Sequence, residues 1–137
     1  MMYMRPVPIV LILSLLLFAC SRSAVVKKLA GCDSLVITYN VPDTDSVIQT
    51  VSTTETKAIQ KLARFLDGKS IEPRSCGFDG NMIFYKGGRA VLPAVFSYSR
   101  EDCRQFWFDL DNKTGSTRMS NEAIDFLKSL LAGSSYY

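Results

Sequence analysis

Apolar and polar positions alternate with a period of two along residues 34–41. Leu35, Ile37, Tyr39 and Val41 fall on one side, and Ser34, Thr38 and Asn40 on the other. That is the pattern of a strand with one buried face. Pro42, Asp43 and Thr44 supply turn residues, and the β-branched content of 46–51 predicts a returning strand. The period then lengthens. Ala58, Ile59, Leu62, Ala63 and Leu66 recur at helical spacing, with Lys57, Lys61 and Arg64 turned to water and Gly68 where a helix C-terminus favours glycine. Ser52, Thr53, Thr54 and Glu55 match the S-x-x-E capping box, so the helix is expected to start there.

Residues 67–80 are rich in Gly, Pro and Asp and read as a loop. Two strand-like runs follow, 81–85 and 90–98, joined by Gly87 and Gly88, a pair suited to the positive φ of a tight hairpin. Pro93 inside the second run predicts an edge strand or a bulge. Residues 103–110 form another strand with Phe106, Phe108 and Leu110 on one face. A polar turn at 111–115 leads to a short strand through Thr117. Ser120 caps a last helix, whose stripe of Ile124, Leu127, Leu130 and Leu131 ends at Gly133. The expected fold is α+β: an antiparallel meander of five or six strands with two amphipathic helices on one face. It forms one domain over 34–133, with a tail at 134–137.

Helices on one face leave the other to be accounted for. Gln105 and Trp107 point away from Phe106 and Phe108, and Tyr85 and Tyr98 are the aromatics expected near them. Left open, that face is an aromatic patch of the composition that binds proteins. The loop at 67–80, or the chain before the first strand, could instead lie over it.

The N-terminus carries a different pattern. One basic residue, Arg5, precedes an eleven-residue apolar run at 9–19. Even fully helical, it spans roughly 16 Å against a hydrocarbon core of about 30 Å, too short for a permanent span and right for the h-region of a secretory signal. It closes on Leu17, Phe18, Ala19 and Cys20. This resembles the lipobox of bacterial lipoproteins, with Phe18 a bulkier occupant of the variable position than usual. The resemblance covers residues 1–21 and implies cleavage before Cys20, whose thiol is then acylated. It makes 1–19 a signal peptide and 20–33 a lipidated tether, and it implies a partner, the lipid bilayer. The implied location is the cell envelope, facing the periplasm from the outer membrane in a cell with two membranes, since Ser21 is non-acidic. The eleven tether residues 21–31 would reach at most about 36 Å.

Composition narrows the chemistry. Sixteen Lys and Arg against 13 Asp and Glu give a formal charge of +3, too small and too scattered for a nucleic-acid partner. There is no histidine in the chain, which removes the commonest general base and the Ser-His and Cys-His pairs. Neither a metal nor a cofactor is expected. Of four cysteines, Cys20 is assigned to lipid, leaving Cys32, Cys76 and Cys103. Cys76 and Cys103 each precede a strand-like run and are the favoured disulfide in an oxidising compartment. Asp109, Asp111 and Asn112 start like a calcium loop, but Lys113 replaces an oxygen ligand and no closing Glu follows, so they read as strand end and turn. Glu101 and Asp102 with Asp109 and Asp111 could provide paired carboxylates for acid–base work, but their spacing implies no common pocket. The expected function is therefore a non-enzymatic, membrane-anchored binding or accessory module, with an envelope protein as the partner. The alternatives are a small hydrolase or thiol enzyme using carboxylates or Cys, and a carrier of a small apolar ligand.

Overall fold

A computed structural model describes residues 23–133; the lipobox, Cys20 and the tail at 134–137 lie outside the described residues. In chain order the elements are α1 (Ala24–Leu29), β1 (Ser34–Asn40), β2 (Val47–Thr53), α2 (Thr56–Leu66), β3 (Gly80–Lys86), β4 (Arg89–Ser97), a 3₁₀ turn (Glu101–Cys103), β5 (Gln105–Leu110), β6 (Lys113–Arg118) and α3 (Asn121–Leu131). The strands form one antiparallel sheet in the order β2-β1-β3-β4-β5-β6. The fold is α+β, as the alternation and the two helical stripes imply. One connection departs from a simple meander. α2 carries the chain from β2 across β1, so β3 pairs with β1 and the first hairpin is left at the sheet's margin.

The core lies between the sheet and the helices. Leu35, Ile37 and Tyr39 of β1, Met82 and Phe84 of β3, Leu92, Ala94 and Phe96 of β4, and Phe106 and Phe108 of β5 are all buried there. They meet the α2 stripe of Ala58, Ile59, Leu62, Ala63 and Leu66 and the α3 residues Ile124, Phe126, Leu127 and Leu130. Deleting one such side chain costs about 2–5 kcal/mol, because lost transfer energy and a residual cavity add. Polar links cross the same layer. The buried Tyr39 hydroxyl donates to the Leu127 carbonyl oxygen at 2.6 Å, and Thr117 Oγ1 donates to the Leu66 carbonyl oxygen at 2.8 Å. Lys61, on the outer side of the α2 stripe, reaches α3, with its Nζ 4.8 Å from the centre of the Phe126 ring.

Three local expectations are corrected. The capping box does not start α2, since Ser52 and Thr53 are still in the ladder opposite Val36 and Leu35. Glu55 is the N-cap, without a side-chain cap, and Thr53 Oγ1 accepts from the Glu55 amide at 3.1 Å. Second, Pro93 is in an interior strand and not at an edge. The alternative, a bulge, does occur in this strand, two residues before Pro93, where Phe84 pairs with Leu92 and Tyr85 with Ala90. Pro93 pairs with Ile83 on one side, while the β4–β5 ladder begins only at Ala94, so Pro93 falls just outside that ladder, where no amide is needed from it. Third, the stretch expected to be a tether contains α1. Ser23 Oγ accepts from the Val26 amide at 3.2 Å, and Val25 and Leu29 join the core. Six residues carry too little periodicity to show a helix, and two buried side chains suffice to hold it down.

The hairpin turns behave as their residues dictate. Gly87 and Gly88 both have positive φ, as a two-residue turn between Lys86 and Arg89 requires. Asp111 and Asn112 do the same between Leu110 and Lys113, so the polar turn is shorter than expected and β6 starts at Lys113. Asn and Asp tolerate this region because their short side chains bond locally. The calcium-like residues are thus the end of β5 and its turn.

Candidate functional site: the sheet face without helices

The side chains that alternate with the core residues define the other face. Cross-strand register places Ser116, Trp107, Val95, Asn81, Thr38 and Thr50 in one row from β6 to β2. The next row holds Pro93, Ile83, Val36 and Ser52. Trp107, Val95, Pro93 and Ile83 form an apolar patch, bounded by Asn81, Asp109 and Thr114, along a shallow groove. Trp107 is 45% exposed. Its neighbours cannot cover it, because Val95 and Ser116, the residues opposite it on either side, are both small.

Gln105, expected on this face, is there but inaccessible at 3% exposure. The segment around Arg74 lies over it. Gln105 Oε1 accepts from the Arg74 amide at 3.2 Å and from Ser116 Oγ at 3.1 Å, and its Nε2 donates to the Arg74 carbonyl oxygen at 2.7 Å. Arg74 Nη1 also donates to the Asp102 carbonyl oxygen at 2.7 Å. Cys76 and Cys103 come together as a disulfide with Cα atoms 5.9 Å apart, which fastens the same segment. The loop at 67–80 therefore covers the Gln105 end of the face and stops short of Trp107.

The tyrosines do not cluster with Trp107. Tyr85 is on the open face, but two strands away and a further row beyond Ile83, roughly 16 Å by strand spacing and rise. Tyr98 belongs to the helix side: it stacks on Phe96 with centroids 5.8 Å apart, and Lys128 Nζ of α3 lies 5.7 Å from its ring centre. Alternation along the expected run 90–98 carries this signal, because Tyr98 has the parity of Leu92, Ala94 and Phe96, which are buried in the core. What it missed was Pro93 and Val95 as the true neighbours of Trp107, which only the pairing register reveals.

Asp79 is 4% exposed and accepts from the amides of Tyr98 at 2.6 Å and Ser99 at 2.9 Å, and from Ser99 Oγ, so it pins the end of β4. Burial pushes the Tyr39 hydroxyl above its ordinary range, with Tyr98 adding to the effect; burial, then Asp79, does the same to Tyr98. Cys32 is a buried free thiol raised by burial and by Asp33, against an opposing effect from Lys86, so it is a poor nucleophile. Glu101 and Asp102 border one cleft, whereas Asp109 and Asp111 border another. Among the described residues no three His, Cys, Asp or Glu side chains are grouped to hold a metal ion. Comparison with protein-family models, curated proteins and solved structures finds no match for this chain.

Proposed function

We propose that this chain is a lipid-anchored protein of the cell envelope whose domain binds another protein through the open sheet face, with Trp107 as the anchor side chain. The observation that carries the reading is the 45% exposure of Trp107 beside Val95, Pro93 and Ile83. Tryptophan buries about 150–250 Å² when covered, so its exposed part amounts to roughly 100 Å². At about 25 cal/mol per Å² that is about 2.5 kcal/mol, or roughly 60-fold in affinity, the size of an interface hot spot. Of the carboxylates considered for acid–base work, Asp109 and Asp111 border one cleft, while Glu101 and Asp102 share another with Glu72, Arg74, Arg104 and Arg118. The space between sheet and helices is filled by Phe84, Phe96, Phe106, Leu62 and Leu127, all fully buried.

Anchoring is supported by Leu17, Ala19 and Cys20, and no helix among the described residues is long and apolar enough to cross a membrane. Two acyl chains would hold the domain firmly, because one alone gives marginal binding. The test has two arms. Fatty-acid labelling of cells should mark the wild type and vanish in Cys20→Ala; persistent label rejects the anchor. Cross-linking in the native envelope should recover a partner that is lost in Trp107→Ala, and a partner retained by that variant rejects the surface.

A further inference from the structure

Three backbone segments meet where β5 begins and β6 ends. The first, residues 69–74, runs as a strap along the outside of β6: the Arg118 amide donates to the Lys69 carbonyl oxygen at 2.8 Å, the Ile71 amide donates to the Ser116 carbonyl oxygen at 3.0 Å, and Ser70 bridges to Thr117. The second is the 3₁₀ turn with Arg104 behind it. The third is the passage from β6 into α3, tied to the second where the Met119 amide donates to the Arg104 carbonyl oxygen at 3.0 Å. Between them lies a cleft of about 810 Å³, a size that small ligands occupy. Each segment gives its lining one arginine: Arg74, Arg104 and Arg118. Among the described residues none of the three is ion-paired, although Glu72 and Glu101 line the same cleft. Asp102, the other carboxylate there, lies 3.1 Å from Arg100, which does not line the cleft. Three cations are left against two carboxylates.

We infer that this cleft binds a small oxyanion of two or more negative charges, a phosphate or a carboxylate. Its arginines are positioned before a ligand arrives. Arg74 is held at both backbone groups by Gln105, and its Nη1 donates to the Asp102 carbonyl oxygen at 2.7 Å. The Cys76–Cys103 bridge ties that segment to the 3₁₀ turn, one residue before Arg104. Arg104 Nη1 donates to Asn121 Oδ1 at 3.1 Å, and its Nε is buried without a partner. The Nε and Nη2 edge of a guanidinium grips a carboxylate or phosphate with two parallel bonds, and here that edge is unused. A buried donor without an acceptor is costly, and an oxyanion held at Nη2 gives Nε one. Arg118 has no side-chain partner among the described residues. The groups that fix Arg74 and Arg104 are a carbonyl and an amide oxygen, which hold a guanidinium without cancelling its charge. Glu72 and Glu101 oppose any anion, so a singly charged one gains little, while attraction to the arginines grows with each charge on the ligand. This site does not depend on what Trp107 binds.

The full chain in a nonionic detergent is titrated calorimetrically with inorganic pyrophosphate and, in a second arm, with citrate, at constant ionic strength so that screening is equal throughout. Saturable binding is expected, and the tighter arm assigns phosphate or carboxylate. Arg104→Gln and Arg118→Gln should each weaken it roughly tenfold, the worth of a charge-assisted hydrogen bond. Lys113→Gln, at the other end of β6, should change it less than about twofold. Glu72→Gln and Glu101→Gln should each tighten it roughly threefold by removing a like charge, a gain that an unfolded chain cannot produce. Absence of saturable binding in both arms overturns the proposal. So does equal weakening by Lys113→Gln and Arg104→Gln, or a pair of Glu variants that bind no more tightly than the wild type.

Discussion

β6 and β2 end the same sheet, yet only one of them is finished. β6 is closed by the strap at Lys69, Ser70 and Ile71, and that strap is held by the Gln105 amide and the Cys76–Cys103 bridge. β2 has the bulge opposite Tyr39 and Asn40, and no strand among the described residues pairs with its outer side. Protection at one margin thus rests on a long-range covalent link and a buried side chain, whereas the exposed margin needs neither. A long connection is not slack: residues 67–80 spend their length reaching from α2 to the far margin before returning to β3, in the centre of the sheet.

The contrast can be broken most severely at the bridge. The cysteines are 27 residues apart in sequence, so the chain-entropy model gives the disulfide about 3–4 kcal/mol. Reduction, or Cys103→Ser, should lower the midpoint of thermal unfolding by well over 10 °C. It should also raise hydrogen exchange at the Ile71 and Arg118 amides before β2 changes, making the two margins alike. A smaller break is Gln105→Ala, which removes the partner of both backbone groups of Arg74 and should cost about 1–3 kcal/mol by denaturant titration. The smallest is Tyr39→Phe, a change in the shared core that serves as the reference. Loss of its bond to the Leu127 carbonyl should cost about 1 kcal/mol and affect both margins equally. Its pH dependence has a definite sign. The folded state raises the Tyr39 and Tyr98 hydroxyls above the ordinary value of 10.0. Stability is full below that value and falls as pH rises beyond it, because the unfolded chain releases those protons first. Unfolding measured from pH 8 to 11 should show that decline, with a shallower slope in Tyr39→Phe.

Much of this was legible in the chain. The alternation at Leu35, Ile37 and Tyr39 and the stripe from Ala58 to Leu66 mark core faces, because a half-buried element must repeat with its own period. The cysteine pair followed from position next to strand-like runs. The strap over β6 was not legible, since its bonds come from Lys69 and Ile71 backbone groups that carry no side-chain signature. The site divided similarly. Trp107 was readable as opposite to Phe106 and Phe108, but its neighbours depend on register across three strands. Tyr98 was expected beside Trp107 although it shares the parity of Phe96, on which it stacks one residue past the end of β4. The capping box at Ser52 failed for a different reason: β1 offers Ser52 and Thr53 ladder partners, and sheet pairing outcompetes a local cap worth about 1 kcal/mol.

α1 changes the mechanics of attachment. Only three peptide steps separate Cys20 from Ser23, where ordered helix begins and Val25 and Leu29 are already seated in the core. Three steps reach at most about 11 Å, against a headgroup layer of about 5–7 Å on each side of the hydrocarbon core. With Cys20 acylated, the domain is mounted on the bilayer with almost no leash, and the exposed Lys27 and Lys28 are carried close to the phosphates. Under the proposed anchor, so short a reach would keep the domain close to the bilayer and would limit its encounters to molecules that move in the same membrane or reach down to it.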